Sequence, residues 1–340
     1  MLVKPKTINS LQEPLGSCLN NPFPNLWFCS NKEGKIVESV MQKGPQTPKG
    51  FRDIAPALAK KRNGVIGKIS QVLEENGFVP LETPTIEFAE TLEGKYGEEE
   101  KLIYKFTDRG GRNLALRYDL TIPLARYVAN NMGVLSPTFS RYQVGQIFRG
   151  ENPQKGRWRE STQFDFDTVG SLDPQEDAKV IAVAIKAAKV VGLEKAQMAT
   201  NDRENFRGLP VEVIRAIDKI YKIGKDGAKK ELADKGFSDK VSVIDDIEKS
   251  EPSENLNRIF KILEDKYSLK QDSDFFFDPT LARGLDYYTG SIFELKPEGR
   301  PEDQSVGGGG RYDNLIGMFA GREIAAVGFS FGIDRIVELL

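Results

Sequence analysis

Several arginines sit where a guanidinium could meet phosphate. Arg149, Arg157 and Arg159 flank a polar turn, residues 150–156, that carries Pro153. Arg283 precedes a glycine and a tyrosine pair, and Arg335 follows the small residues Gly328, Ser330 and Gly332. A planar guanidinium fork matches phosphate oxygens, so a nucleoside triphosphate is a fitting guest. The chain has no histidine and only two cysteines, Cys18 and Cys29. Ser-His and Cys-His nucleophile pairs, histidine-ligated metals and imidazole acid–base catalysis are thereby excluded, and two cysteines do not complete a four-ligand zinc site. Any chemistry runs on arginine, carboxylates, tyrosine, backbone dipoles or a hard metal ion.

The elements that would position these groups are legible in outline. Residues 142–148 alternate as a strand. In the following stretch Trp158, Thr162, Phe164, Phe166 and Thr168 fall on one face, with Gln163, Asp165 and Asp167 on the other. The pattern predicts a long antiparallel hairpin over 141–170; an exposed hairpin with solvated charges is the alternative. Apolar positions at helical spacing predict a helix over 56–76, stopped by Gly77, then a strand over 78–82 closed by Thr83 and Pro84. Residues 101–106 and 113–117 read as paired strands around Asp108-Arg109-Gly110-Gly111. Asp119 and Thr121 open a helix over 122–130 that ends at Gly133, and Asp119 reads equally as its N-cap. Asp173-Pro174 starts another helix, stopped at Gly192.

Residues 203–272 change character. Helical segments around 211–222, 225–235 and 253–267 carry many lysines interleaved with Asp218, Asp226, Glu231 and Asp234, the pattern of a solvated face. Strand character resumes at 274–278. Gly307 to Gly310 form a run of four glycines, whose entropic cost suits close backbone approach or positive φ. Residues 325–340 pass from a strand bearing Gly328, Ser330 and Gly332 into a helix carrying Arg335, leaving room for a flat ligand.

The chain has 340 residues, 29% of them charged, with a formal net charge of -2, so no global field selects nucleic acid or membrane. No apolar run approaches the roughly 20 residues of a membrane helix. The first residues lack the apolar core of a secretory signal, and the expected setting is cytoplasmic with reduced thiols. Residues 1–45 read as an irregular arm.

Taken together, these stretches resemble class II aminoacyl-tRNA synthetases, specifically the histidyl-tRNA synthetase family. The helix and strand over 56–84 look like motif 1, FRGE through FD (148–167) like motif 2, and 328–335 like motif 3. ARGLDYYTG (282–290) and GGGGRYDNL (307–315) are similar to the family's two histidine-specific signatures. PKGFRD near residue 50 and LRYDLTIPLARYV (116–128) fit as well. LRYDLT and QFDFD are closer to the archaeal and eukaryotic-like branch than to the common bacterial one.

The resemblance implies an α+β fold, an antiparallel sheet flanked by helices and interrupted by a helical insertion domain. The implied division is an N-terminal extension (1–46), catalytic parts at 47–200 and 274–340, and the insertion at 201–273. It implies activation of L-histidine by ATP, with magnesium on ligands left unassigned, then transfer to tRNA(His) by a homodimer. Carried over by position, Arg149 would hold the α-phosphate and Arg157 the γ-phosphate, with Glu151 near the adenine and Arg335 against its plane. Arg283, with Arg149, would be catalytic. Asp119, Thr121 and Gln163 would receive the substrate amino group, and Asp167 and Tyr288 the two ring nitrogens. Tyr287 and Tyr312 would complete the pocket.

Two departures stand out. Ser161 occupies a position where the family has an aromatic residue that stacks on adenine, and the family's anticodon-binding domain has no counterpart before Leu340. The regulatory subunit of ATP phosphoribosyltransferase, a histidine-binding relative without aminoacylation activity, is therefore the alternative, and a pseudo-synthetase domain a third reading. The arginine set and the helical insertion favour the synthetase.

Overall fold

The structure, a computed structural model, describes residues 28–30, 36–38, 45–153, 158–282 and 287–340, with the backbone alone at 28–30, 36–38 and 98. The chain divides into two compact units, Met1–Pro48 and Lys49–Leu340. In the first, strands β1 (Phe28–Ser30) and β2 (Ile36–Glu38) pair antiparallel, with Phe28 opposite Glu38. The expectation of a wholly irregular arm therefore fails for these two triplets. Strands of three residues are too short to show a period of two in the sequence.

The second unit begins with helix α1 (Pro56–Glu75), which places proline in its first turn and is followed by Gly77 at φ 80°. Both ends fall where the caps predict. Next come β3 (Val79–Pro80), β4 (Ile86–Phe88) and the short helix α2 (Ala89–Leu92). A 3-10 helix over Gly97–Leu102 replaces the start of a strand expected at 101, so the strand shortens to β5 (Lys105–Thr107). It pairs with β6 (Asn113–Leu116), which also takes β4, giving a three-stranded sheet. Helix α3 (Thr121–Asn131) follows.

The long hairpin is present as β7 (Phe139–Phe148) and β8 (Glu160–Val169), ten residues each and antiparallel throughout. Helix α4 (Pro174–Val191) carries the features read from sequence. Asp173 Oδ1 accepts from the Gln175 N–H at 2.9 Å, and Gly192 ends the helix at φ 110°. β9 (Gln197–Asp202) leads into the helical run α5 (Val211–Ile217), α6 (Ile220–Asp234), α7 (Val243–Asp246) and α8 (Glu254–Tyr267). Gly224, at φ 72°, breaks α6 where two separate segments were expected. The chain returns through β10 (Phe275–Phe277), β11 (Ser291–Lys296), β12 (Gly307–Arg311), α9 (Gly317–Ala320), β13 (Ala326–Gly332) and α10 (Ile333–Leu339).

The main sheet has eight strands in the order β10-β9-β11-β12-β13-β8-β7-β3. The two outermost pairs are parallel and the rest antiparallel. One face is apolar: Phe164, Phe166, Phe293, Phe329 and Phe331 pack among themselves and with α1, α4 and α10. Phe166 meets Phe78 edge-on at 5.3 Å. Burying side chains of this size contributes about 1.5–3 kcal/mol each. Helix α8, from the segment read as an insertion, adds Leu256, Ile259, Phe260 and Leu263 to this core. The lysine-rich face forms ion pairs such as Lys225–Glu248 and Lys229–Asp245.

The glycine run is a strand rather than a loop. A Cβ on Gly309 would lie 2.0 Å from the Gly328 carbonyl oxygen, so the close approach of β12 to β13 requires its absence.

Candidate active site

The second face of the sheet carries the chemistry. Because side chains alternate along a strand, the residues that send Phe164 and Phe166 into the core send Gln163, Asp165 and Asp167 to the opposite side. Strand β13 pairs Gly328 with Asp167, Ser330 with Asp165 and Gly332 with Gln163. Small residues beside three polar ones leave a hollow instead of a packed surface. A cavity of about 410 Å³ results.

One end of the cavity is anionic and phenolic. Asp167 is buried; its Oδ2 lies 2.6 Å from Nη2 of Arg141, and its Oδ1 accepts from the Tyr312 hydroxyl at 2.5 Å. Burial raises the Asp167 pKa, with Arg141 and Tyr312 opposing the shift. Tyr287 and Tyr288 line the same cavity, and the Tyr287 ring meets that of Tyr312 edge-on at 6.0 Å. Asp119 is both an N-cap and a wall of the cavity. Its Oδ1 accepts from the Thr121 and Ile122 N–H groups at 3.1 and 3.0 Å, and burial raises its pKa. The two readings of Asp119 are compatible. Thr121 also lines the cavity, and Gln163 presents a buried Oε1 with no partner among the described residues.

The other end lies towards the start of β8, on the side of Ser161. Arg149, just beyond β7, donates from Nε to the Tyr118 carbonyl at 3.1 Å, and its guanidinium lies 4.5 Å from the Tyr118 ring centre. Glu151 and Arg335 line the cavity, and Arg335 Nη1 donates to the Ser305 carbonyl at 2.8 Å. Ser161 lines it too, as does Trp158, whose ring carries the Arg52 guanidinium at 4.4 Å. Arg157 and Arg283 lie outside the described residues.

The cavity thus gathers Arg149, Glu151, Arg335, Asp119, Thr121, Gln163, Asp167, Tyr287, Tyr288 and Tyr312 from six separate stretches of sequence. It also contains groups that sequence reasoning passed over. Asp165 accepts from the Ser330 hydroxyl at 2.5 Å, and burial pushes its pKa up to about 7. Alternation with Gln163 and Asp167 was the available signal. Asp334 closes the floor, accepting from the Thr162 N–H and from Arg52, each at 2.8 Å. Asp218, read as part of a solvated face, lines the cavity instead, because the end of α5 reaches it. Among the described residues no group of three or more His, Cys, Asp or Glu is arranged to hold a metal ion.

Chemically, one end offers hydrogen-bond acceptors and phenols to a small polar molecule with a positive group. The other offers arginines to phosphate. Comparison with known proteins identifies the family. The family model described as histidyl-tRNA synthetase matches residues 50–234 and 232–336. The histidine–tRNA ligase of Aeropyrum pernix is 42% identical over 322 residues, covering 86% of this chain and 74% of that protein. That of Korarchaeum cryptofilum is 41% identical over 317 residues, with the same 86% and 74% coverage. The crystal structure of histidyl-tRNA synthetase from Nostoc sp. PCC 7120 superposes with a TM-score of 0.74 at 28% identity, covering 87% of this chain and 75% of that one. A Bacillus halodurans structure described as an ATP phosphoribosyltransferase regulatory subunit/histidyl-tRNA synthetase has a TM-score of 0.72 at 24% identity, over 87% of this chain and 83% of that one, and speaks for the fold alone. The chain belongs to the histidyl-tRNA synthetase family.

Proposed function

We propose that this chain joins histidine to tRNA(His) in two steps, through histidyl-adenylate. The observation that carries the proposal is one continuous cavity with an acceptor-and-phenol end and an arginine end. In the first step a carboxylate oxygen of histidine attacks the α-phosphorus of ATP, a P–O bond forms, and pyrophosphate leaves with the electrons of the bond that breaks. The histidine carboxylate is already ionised at neutral pH, so no general base is required and the absence of histidine residues is no obstacle. The barrier lies in bringing two anions together and spreading charge at phosphorus, which fixed guanidinium groups lower.

In this reading Arg149 and Arg283 stabilise the charge on the α-phosphate, Arg157 takes the γ-phosphate, and Glu151 and Arg335 hold the adenine. Asp119, Thr121 and Gln163 receive the ammonium group, for which the unpartnered Gln163 Oε1 is suited. Asp167 and Tyr288 take the ring nitrogens, with Tyr287 and Tyr312 as walls. A substrate without matching ring nitrogens would leave the hydrogen bonds of Asp167 and Tyr288 to the ring unmade, which penalises the wrong amino acid. In the second step the terminal adenosine of tRNA displaces AMP from the adenylate carbonyl.

Magnesium enters this reading on the triphosphate. The described residues offer no carboxylate cage, and magnesium commonly keeps several waters beside phosphate oxygens. When bound it would neutralise phosphate charge. A homodimer and a cytoplasmic location complete the proposal. A rice relative 37% identical over 357 residues is named cytoplasmic, and among the described residues no helix is long and apolar enough to cross a membrane.

Histidine-dependent exchange of pyrophosphate into ATP tests the reading. Exchange is the expected result, together with charging of tRNA(His). Histidine binding without exchange would favour a regulatory, histidine-sensing role instead.

A further inference from the structure

Arg141 is an unusual residue to find inside a sheet. It is fully buried, at 0% exposure, at the third pair of the β7–β8 ladder, directly opposite Asp167. Cross-strand partners share a face, so its side chain lies on the cavity side of the sheet with Asp167. Nη2 lies 2.6 Å from Asp167 Oδ2 and 3.4 Å from the Leu120 carbonyl, while Nε and Nη1 have no partner among the described residues. Leu120 stands between Asp119 and Thr121. One guanidinium therefore touches the carboxylate at one end of the pocket and the backbone turn that presents the amine-binding pair.

A buried ion pair is a poor way to gain stability, because desolvation of both charges offsets their attraction. An apolar pair would fill the same space, and the sheet elsewhere does so with phenylalanines. The charges form a cluster. Arg141 faces Asp167 and bears on Asp165, two residues along β8, which Arg117 also influences. Among the described residues, Tyr312, Tyr287 and Tyr288 from the last third of the chain and Asp119 at the start of α3 share the cavity with Asp167. Of these only Asp119 is an acid, and no second described cation reaches the Asp167 carboxylate in a recorded ion pair.

We propose that Arg141 is a positioning residue for amino-acid specificity: it keeps the Asp167 carboxylate ionised and turned into the pocket, ready to accept the ring N–H of histidine. The inference deepens the reading of the cavity as a histidine site and rests on it. Burial raises the Asp167 pKa and Arg141 opposes that shift, so without the guanidinium the carboxyl holds its proton to higher pH. A protonated carboxyl presents a donor where an acceptor is needed, so the ring loses a charge-assisted hydrogen bond. Asp165 is the competing claimant on Arg141, and its ionisation works against that of Asp167.

The test compares histidine and ATP across pH. In Arg141→Met, which keeps the length and removes the charge, the KM for histidine in pyrophosphate exchange should rise at least about tenfold at pH 7. It should fall back towards the parent value as the pH is raised to 9 and Asp167 ionises, while the KM for ATP stays within about threefold. Arg141→Lys should retain the flat profile of the parent. Both constants rising together without recovery at high pH would reduce Arg141 to a structural residue, and an unchanged histidine KM would overturn the proposal outright.

Should the methionine variant fail to fold, Arg141→Gln carries the test: its histidine KM should show the same rise at pH 7 and the same recovery towards pH 9, and a rise without recovery overturns the proposal. If the parent protein shows no exchange, the ligase reading falls, and the same pH comparison is then made on histidine binding by calorimetry.

Discussion

Gly328 of β13 stands directly across the sheet from Asp167 of β8, and a methyl group on it would lie 1.8 Å from Asp167 Oδ1. The carboxylate occupies the space that any side chain at 328 would claim. Gly328→Ala is expected to turn Asp167 away from Arg141 and Tyr312. The KM for histidine should rise by about tenfold or more, since a hydrogen bond to a charged group contributes about 1.5–3 kcal/mol. The KM for ATP should change little. Exchange kinetics with each substrate varied in turn measure both constants.

Ser161 gives the nucleotide end a second testable property. It lines the cavity at the end proposed for the nucleotide, where an aromatic ring would stack on the base. Stacking of that kind contributes about 1–3 kcal/mol per base. Ser161→Phe is expected to lower the KM for ATP by about fivefold to a hundredfold on that scale while leaving histidine affinity unchanged. An ATP KM that stays the same would mean that Trp158 or another surface already holds the base.

Asp165 links the site to stability. Burial keeps its carboxyl protonated up to about 7, against an ordinary 3.8, with the Asp167 charge adding to the shift and Arg141 and Ser330 opposing it. The folded chain therefore holds a proton that the unfolded chain releases. The associated stability is fully present below pH 3.8 and is lost as pH rises through about 7. Asp165→Asn does not ionise, so its urea midpoint should fall less than the parent's between pH 4 and 7. Parallel curves for the two proteins would show that Asp165 is ionised throughout.

Arg283 is the proposed catalytic arginine. Arg283→Lys keeps the charge but loses the fork that bridges carboxylate and phosphate. Loss of one such donor commonly costs about 10²–10³ in rate, and adenylate formation in a single turnover should slow by that amount. Transfer from preformed adenylate to tRNA should be largely spared. Rapid quench measures the first step, and a rate within a few-fold of the parent would assign the role to Arg149 instead.

The proposed dimer has an apolar surface to use. Val79 and Phe88 are 48% and 51% exposed, and Ile86 and Phe106 are 44% and 41% exposed. They lie on β3, the edge strand of the main sheet, and on β4 and β5 of the small one. Sedimentation should show a dimer at micromolar concentration, and Phe88→Glu should shift it to monomer with loss of exchange. An active parent that sediments as a monomer would remove the claim.

How much of this was readable beforehand follows from the physics of each signal. Helices α1 and α4 were bounded by proline at one end and positive-φ glycine at the other, features that act locally and need no tertiary context. The alternation of β8 identified the faces of Phe164 and Asp167 for the same reason. Arg141 was missed because a charged residue in a strand ordinarily reads as facing water. Only the opposite strand, 26 positions away, shows that a buried carboxylate needs it. The four glycines gave no strand signal, since glycine is a weak strand former and the requirement arises from the carbonyl of Gly328. Asp218 and Asp334 reach the cavity only through the packing of α5 and α10.

Strand β8 is paired to β7 along its whole length and to β13 from Gln163 to Val169. Its backbone amides can meet solvent only when the centre of the sheet comes apart, an opening close in free energy to complete unfolding. Deuterium should therefore enter the amides from Phe164 to Asp167 among the last in the chain. The carboxylate proposed to choose the amino acid is thus anchored in the part of the molecule that opens least, so discrimination should persist under mild heat or denaturant until the molecule as a whole gives way.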